Sequence, residues 1–201
     1  MSARTAIVVL ATGRAGGTAR GDAFSAVLEQ PLQRSTMLGT TLRHALAAEW
    51  PLLLVTTPSL AHKASRWIAT RDIVALDDAE LARGRGRALA MAVAERADAD
   101  GWVVLPAERP LVRPSTLRAV GTALATHAVA HAQHRGQRGE PTGYAAELFS
   151  ELIALDGDDA PRRLAARYPA AVVEVDDPGV LVDAASDEGM TLARAAAADV
   201  A

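Results

Sequence analysis

The segment of this sequence best suited to chemistry is a glycine-rich stretch that follows a short apolar run near its start. Residues 11–22 read Ala-Thr-Gly-Arg-Ala-Gly-Gly-Thr-Ala-Arg-Gly-Asp. Glycines let a loop turn sharply and bring its backbone N–H groups close to an anion, and Arg14 and Arg20 can add bidentate contacts to phosphate oxygens. The spacing matches neither the Walker pattern nor G-x-G-x-x-G, so a flexible connection without a ligand stays open as the alternative.

Two other groups of titratable residues have spacings that invite a metal interpretation. The first group consists of His127, His131 and His134. An extended strand would place the first two on one face and the third on the other, and no acidic residue accompanies them, so no metal site is expected there. The second group consists of Asp156, Asp158 and Asp159 around Gly157. It lacks the twelve-residue calcium loop, which favours a loop role at the edge where substrate binds.

The elements that must position these residues are indicated by apolar runs alternating with helical stretches. Apolar runs typical of buried strands occupy residues 7–10, 52–55, 73–76, 102–105, 128–133 and 172–175. Predicted helices occupy residues 36–48, 59–69, 85–97, 114–126, 145–154 and 160–167. This alternation predicts an α/β fold with a mostly parallel sheet covered on both faces. Ligands of such sheets bind outside the carboxyl ends of the strands, which directs attention to the loops at 11–20 and 105–113.

Length and composition narrow the class of protein further. The chain has 201 residues, half of them hydrophobic, and a net charge of −3, which predicts a single globular domain rather than a nucleic-acid-binding protein. It has no cysteine, which fits a cytoplasmic location and excludes thiolate chemistry. The apolar run at 6–11 is too short to span a membrane. Only Lys63 among the 21 basic residues is a lysine, so other positive charges must come from arginine.

Seven segments, read in order, resemble the MobA-like nucleotidyltransferases, the family that contains the molybdenum cofactor guanylyl- and cytidylyltransferases. The first, Leu-Ala-Thr-Gly at 10–13, resembles the opening of L-A-A-G-x-x-x-R-M-G-x-x-x-K. The other six segments lie at 31–32, 84–89, 105–112, 138–141, 157–162 and 182–188. The last four of them resemble the family patterns L-x-x-D-M-P, R-G-H-P, G-D-x-G-x-R and D-I-D-T-P-E-D, in that order. The resemblance implies a three-layer α/β/α, Rossmann-like nucleotidyltransferase fold similar to glycosyltransferase A. It also implies a nucleotide-binding half at 1–112 and an acceptor-binding half at 113–201.

The reaction implied by the resemblance is transfer of a nucleoside monophosphate from CTP or GTP to a phosphorylated, molybdopterin-type acceptor, with Mg²⁺ and release of pyrophosphate. A monomer or homodimer is expected. The implied nucleotide-binding residues are Leu10, Ala11, Gly13, Arg14, Gly16, Gly17 and Gly86, with Arg14 and Arg20 as the catalytic cations. The implied metal ligands are Glu108 and Asp183. The implied acceptor-binding residues are Gly139, Glu140, Pro141, Asp158 and Arg162.

Several departures from the family pattern fall on the positions that do the chemistry. The signature arginine, methionine and lysine align with Gly17, Thr18 and Ala23, and the second aspartate of D-I-D-T aligns with Ala185. Glu108 keeps a carboxylate at the metal position, although it could instead form a surface ion pair with Arg109, and Asp183 could simply shape a turn. Two hypotheses follow: a nucleotidyltransferase with a rearranged site, or a relative that binds a nucleotide, a pterin or a partner protein without turnover.

Overall fold

The computed structural model describes residues 5–13, 21–32 and 34–198. Strands in this part of the chain are β1 (Ala6–Ala11), β2 (Pro31–Leu32), β3 (Ser35–Thr36), β4 (Leu52–Thr56), β5 (Ile73–Ala75), β6 (Gly101–Pro106), β7 (Val129–His134), β8 (Gln137–Ala145) and β9 (Ala170–Glu174). Helices in this part are α1 (Gly21–Leu28), α2 (Met37–Leu46), α3 (Pro58–Ala64), α4 (Asp78–Ala82), α5 (Gly84–Glu95), α6 (Pro114–Ala123), α7 (Phe149–Leu152), α8 (Ala160–Ala165) and α9 (Asp187–Ala198).

A seven-stranded sheet forms the centre of the described part of the chain, in the order β5-β4-β1-β6-β8-β7-β9. Pairing is parallel except along β8, which runs antiparallel to both β6 and β7. The chain builds outward from β1 to β5 and then returns to place β6 on the other side of β1. This reversal creates a topological switch point at the carboxyl ends of β1 and β6, where open α/β sheets bind their ligands.

Helices cover both faces of the sheet, because successive side chains of each buried strand point to opposite sides. Along β1, Ile7 and Val9 join the core beneath α1, α2, α3, α6 and α9. Val8 and Leu10 join the second core, beneath α4, α5, α7 and α8. Every residue of β1 is buried, which is why its sequence is a continuous apolar run. The three-layer α/β/α architecture expected from the sequence is confirmed.

The clearest difference from the predicted elements is β8, which the sequence did not indicate. Its sequence contains Gly139, Pro141 and Gly143, residues that weaken strand patterns. The pairing of β8 with β7 shifts register between His131 and Gln133, and Pro141 lies in this irregular stretch. The predicted helix at 145–154 also starts too early, because Ala145 is the last residue of β8. The helices α1, α4 and most of α9 were likewise not predicted.

The β7–β8 connection is a two-residue hairpin turn, Arg135 and Gly136, with φ angles of 49° and 77°. Two successive positive φ angles are typical of the tight turns that match the twist of antiparallel strands. Because β7 runs parallel to β6, this turn lies at the same edge of the sheet as the carboxyl end of β6. Among the helices described, none is long and apolar enough to cross a membrane.

Candidate functional site

The site begins where β1 and β6 end side by side. The Ala107 N–H donates to the Leu10 carbonyl at 2.9 Å, which holds the turn after β6 against the end of β1. Leu10 and Ala11 are buried strand residues, so only their backbone could reach a ligand. Gly13 follows them at the start of the glycine-rich loop, and the hydroxyl of the buried Thr12 has no hydrogen-bond partner. The predicted phosphate-binding and catalytic residues Arg14, Gly16, Gly17 and Arg20 lie outside the described residues.

Glu108 follows directly and has an unusual environment for a carboxylate. It is 3% exposed, and its buried Oε2 has no hydrogen-bond partner among the described residues. Burial raises the pKa of Glu108 to about 7, while Arg85 and the residue's own backbone N–H oppose the shift and the negative charge of Asp183 adds to it. The surface ion pair with Arg109 that the sequence left open is wrong, because the side chain is in the interior.

Asp183 lies beside Glu108 although the two are far apart in sequence. The Ala184 N–H donates to the Glu108 carbonyl at 2.9 Å, which joins the segment before α9 to the turn after β6. The Asp183 Oδ1 accepts the Ala185 N–H at 3.0 Å, so the turn role left open by the sequence is observed. A Cβ on Gly189 would lie 1.9 Å from the Asp183 carbonyl oxygen, so only glycine lets α9 pack this closely.

Asp177 holds the same C-terminal segment in place from further back. Its Oδ2 accepts the Thr116 hydroxyl at 2.6 Å and the Arg113 N–H at 2.8 Å. Its Oδ1 accepts the Gly179 N–H at 3.1 Å. This buried carboxylate therefore ties the start of α6 to the segment that leads to Asp183.

The turn that carries Glu108 is also held by α2, which lies on the same face of the sheet as α6 and α9. Thr41 in α2 is buried, and its hydroxyl lies 2.8 Å from the Ala107 carbonyl and 3.1 Å from the Met37 carbonyl of its own helix. A hydroxyl that faces both carbonyls links the helix to the turn immediately before Glu108. The carboxylate is thus mounted on a supported turn.

Two arginines that the sequence did not single out as binding residues act on Glu108. The positive charges of Arg85, in the first turn of α5, and of Arg109 both lower its pKa against the effect of burial. The Arg109 Nε is buried without an acceptor. Both arginines lie within segments that resemble family motifs, and those motifs were the sequence signal that could have identified them.

Gly86 and Asp158 meet at the start of α5, where they close the junction with the loop before α8. The Gly86 N–H donates to the Gly157 carbonyl at 2.9 Å, and a Cβ at Gly86 would lie 2.5 Å from that oxygen. The Asp158 Oδ1 accepts the Arg85 N–H at 3.1 Å. The structure thus places Asp158 beside the nucleotide-half residue Gly86 and gives its carboxylate a helix-capping role.

Three of the remaining predicted acceptor-binding residues, Gly139, Glu140 and Pro141, lie in the first half of β8, toward the same edge of the sheet. Gly139 approaches Val180 so closely that a Cβ would lie 2.4 Å from the Val180 carbonyl oxygen. Glu140 accepts the Thr142 hydroxyl at 3.2 Å and precedes Pro141 in β8. Arg162 is exposed on α8, and its side chain forms no hydrogen bond or ion pair with the described residues. The structure brings Gly139 near the segment that leads to Asp183.

The three histidines do not gather into a site. His127 is exposed, whereas His131 and His134 are buried in β7. The His134 Nδ1 lies 2.8 Å from the Val175 carbonyl, which is a structural contact to β9. Within residues 5–13, 21–32 and 34–198, no group of three or more His, Cys, Asp or Glu side chains is arranged to hold a metal ion.

The fold and the site together define a class of protein: an α/β domain with a buried carboxylate at the switch point of a mostly parallel sheet. The MobA-like NTP transferase domain matches residues 7–172, and the chain belongs to this family. The resemblance seen in the sequence is thereby confirmed. No protein of curated function matches the sequence significantly.

Several solved structures share the fold. Mycobacterium tuberculosis Rv0371c in complex with manganese has a TM-score of 0.79 at 24% identity, covering 97% of this chain and 100% of that chain. A nucleotidyl transferase from Methanothermobacter has a TM-score of 0.72 at 20% identity, covering 98% and 99%. Molybdopterin-guanine dinucleotide biosynthesis protein A from Archaeoglobus fulgidus has a TM-score of 0.65 at 13% identity, covering 97% and 100%.

Proposed function

We propose that this protein transfers a nucleoside monophosphate from CTP or GTP to a phosphorylated acceptor of the molybdopterin type, releasing pyrophosphate. The observation that carries the proposal is the buried, unpartnered Oε2 of Glu108 beside Asp183 at the switch point of the sheet. A buried carboxylate oxygen without a donor is costly, so a native protein retains one where a ligand completes it.

The residues at this point fit a divalent cation. Mg²⁺ takes oxygen ligands, and it commonly binds through one or two carboxylates while keeping waters and substrate phosphates as its other ligands. Glu108 and Asp183 supply such a pair, so the lack of a third acidic side chain among the described residues is no obstacle. When bound, the ion would neutralise charge that develops on the departing pyrophosphate. The manganese bound by the Mycobacterium protein supports a divalent ion in this chain.

The protein's own groups would orient the two substrates. Backbone N–H groups from Gly13 onward would face the triphosphate, as the glycine-rich sequence predicts. The start of α5 at Gly86 would border the nucleoside, and the edge formed by Gly139, Glu140 and Pro141 would receive the acceptor. Asp158 and Arg162 complete the acceptor-side prediction. This division follows the proposed nucleotide half at 1–112 and acceptor half at 113–201.

The family relationship supports an enzyme, although the departures at Gly17, Ala23 and Ala185 leave turnover to be tested. A member that binds nucleotide without turnover would keep the same fold and lose the metal dependence. A cytoplasmic monomer or homodimer remains the expected setting.

The test is a titration of the purified protein with CTP and GTP, with and without Mg²⁺, while the melting temperature is followed. We expect stabilisation that requires the metal, and pyrophosphate release when a molybdopterin-type acceptor is added. Glu108→Gln should abolish the metal-dependent part, whereas Glu95→Gln, the same change at an exposed site in α5, should preserve it. Stabilisation that ignores both the metal and Glu108→Gln would overturn the metal assignment and leave a nucleotide-binding protein.

A further inference from the structure

Two arginines whose positive charges act on Glu108 stand out, because the described part of the chain gives neither guanidinium group an ion-pair partner. Within residues 5–13, 21–32 and 34–198, the guanidinium groups of Arg85 and Arg109 form no ion pair and no hydrogen bond. Their neighbours in sequence differ. Arg83 pairs with Asp156 at 3.1 Å, and Arg87 pairs with Glu80 at 2.5 Å.

The burial of the Arg109 side chain without an acceptor among the described residues lowers the stability of the folded protein. Its Nε is buried without an acceptor, and a buried donor that has lost water without gaining a partner is destabilising. Arg85 is half-buried in the first turn of α5, where the Asp158 carboxylate fixes its backbone N–H. Among the described residues, neither of these two cations that act on Glu108 is neutralised by an ion pair.

We propose that Arg85 and Arg109 form a phosphate-binding pair beside Glu108 that holds oxygens of the nucleotide's triphosphate or of the acceptor's phosphate. Guanidinium groups match phosphate oxygens with parallel, charge-assisted hydrogen bonds. A divalent cation at Glu108 and Asp183 would add its positive charge to that of the two arginines. A polyphosphate would complement that charge.

This inference deepens the proposed function and rests on it for the identity of the ligand. The family signature places its arginine and lysine after the first strand, and those positions are Gly17 and Ala23 here. Arg109 at the end of β6 and Arg85 at the start of α5 would supply positive charge from the other side of the switch point. The rearranged site would then keep its cations and change the elements that deliver them.

The experiment measures metal-free binding of pyrophosphate by calorimetry to the full chain and to Arg85→Gln and Arg109→Gln. Each variant should bind roughly 10- to 100-fold more weakly, since each loses charge-assisted hydrogen bonds. Arg71→Gln is the matched control, because its side chain is 87% exposed and it lies directly before β5, at the edge of the sheet opposite the carboxyl ends of the strands. Arg85→Lys and Arg109→Lys should recover part of the affinity and provide folded variants if the glutamines prevent folding.

A phosphomonoester, ribose 5-phosphate, is titrated in parallel to identify the source of the phosphate. Loss confined to pyrophosphate supports the nucleotide, and loss confined to the phosphomonoester supports the acceptor. Wild-type affinity for both ligands in folded Arg85 and Arg109 variants overturns the pair. Manganese binding to Glu108→Gln is measured separately. An unchanged manganese affinity would overturn the metal site of the proposed function while leaving the metal-free phosphate result to be judged by itself.

Discussion

Asp177 and Glu108 are both buried carboxylates near the ligand edge of the sheet, and they are treated in opposite ways. Asp177 is 2% exposed and accepts hydrogen bonds from Arg113, Thr116 and Gly179. Glu108 is 3% exposed, and the part of the chain that the structure describes offers no hydrogen-bond donor to one of its oxygens. A carboxylate whose lone pairs are satisfied by the fold contributes to stability. A buried carboxylate that the fold leaves without a hydrogen-bond donor is suited to bind a ligand that is not part of the fold.

The largest effect on stability is expected from a substitution of Asp177. Asp177→Ala removes the acceptor of three donors, two of them backbone N–H groups, and should lower the free energy of unfolding by about 3–5 kcal/mol. Urea denaturation measures this loss. Asp176→Ala, at the exposed neighbouring position, should change the free energy by less than about 0.5 kcal/mol. Equal effects of the two substitutions would contradict the structural role of Asp177.

Glu108 should show the opposite behaviour in stability. Its pKa in the folded state is about 7, above its ordinary value of 4.5. The folded state therefore keeps a proton that the unfolded state releases, and stability falls as the pH rises from about 4.5 to 7. The fall attributable to Glu108 should be about 3 kcal/mol.

Glu108→Gln cannot titrate, so the wild-type protein should lose stability relative to this variant across that range and reach a plateau above about pH 7. Denaturation of both proteins at a series of pH values measures the difference. A difference that does not depend on pH would show that the carboxylate is hydrated in the folded state.

The affinity for a divalent metal ion should depend on the protonation state of Glu108. A divalent ion requires ionised Glu108, so below about pH 7 the affinity for Mn²⁺ should fall by up to about tenfold per pH unit. Calorimetric titration with Mn²⁺ in buffers of different ionisation enthalpy would also detect the released proton. An affinity that is constant between about pH 5 and 7 would separate the metal from Glu108.

The smallest expected effect concerns the support of the turn. Thr41→Val removes the hydroxyl that reaches the Ala107 carbonyl and should lower the free energy of unfolding by about 1 kcal/mol. It should also weaken Mn²⁺ binding, because the turn carries Glu108. Thr191→Val is the control, since the Thr191 hydroxyl makes the same kind of bond within its own helix, at 2.9 Å to the Asp187 carbonyl, and is exposed. An equal change in Mn²⁺ affinity for both variants would argue against support of the turn.

The sequence predicted the layers of the fold because buried parallel strands leave a direct mark, a continuous apolar run such as residues 7–10. It failed at β8, where Gly139 is required by close packing against the Val180 carbonyl and Pro141 lies in an irregular stretch of the ladder. These residues disrupt a local pattern for reasons that depend on distant neighbours.

The site was predictable to a smaller extent. Glu108 and Asp183 came from family motifs, and their proximity depends on the contact between Ala184 and the Glu108 carbonyl, which no local pattern encodes. Arg85 could not be told from Arg83 and Arg87 by sequence, because all three occupy one arginine-rich stretch. Only the positions of Asp156 and Glu80 show which of the three remains uncommitted.

Under the proposed function, the reversed direction of β8 has a consequence for how relatives could differ in the acceptor that they bind. A strand that runs opposite to its neighbours begins at the edge where they end, so the tight hairpin at Arg135 and Gly136 lies at the ligand edge of the sheet. Insertions in that hairpin would change the surface at this edge while the pairing of the sheet is kept. Under this proposal, the selectivity for the acceptor could therefore change through this surface hairpin without any change in the core.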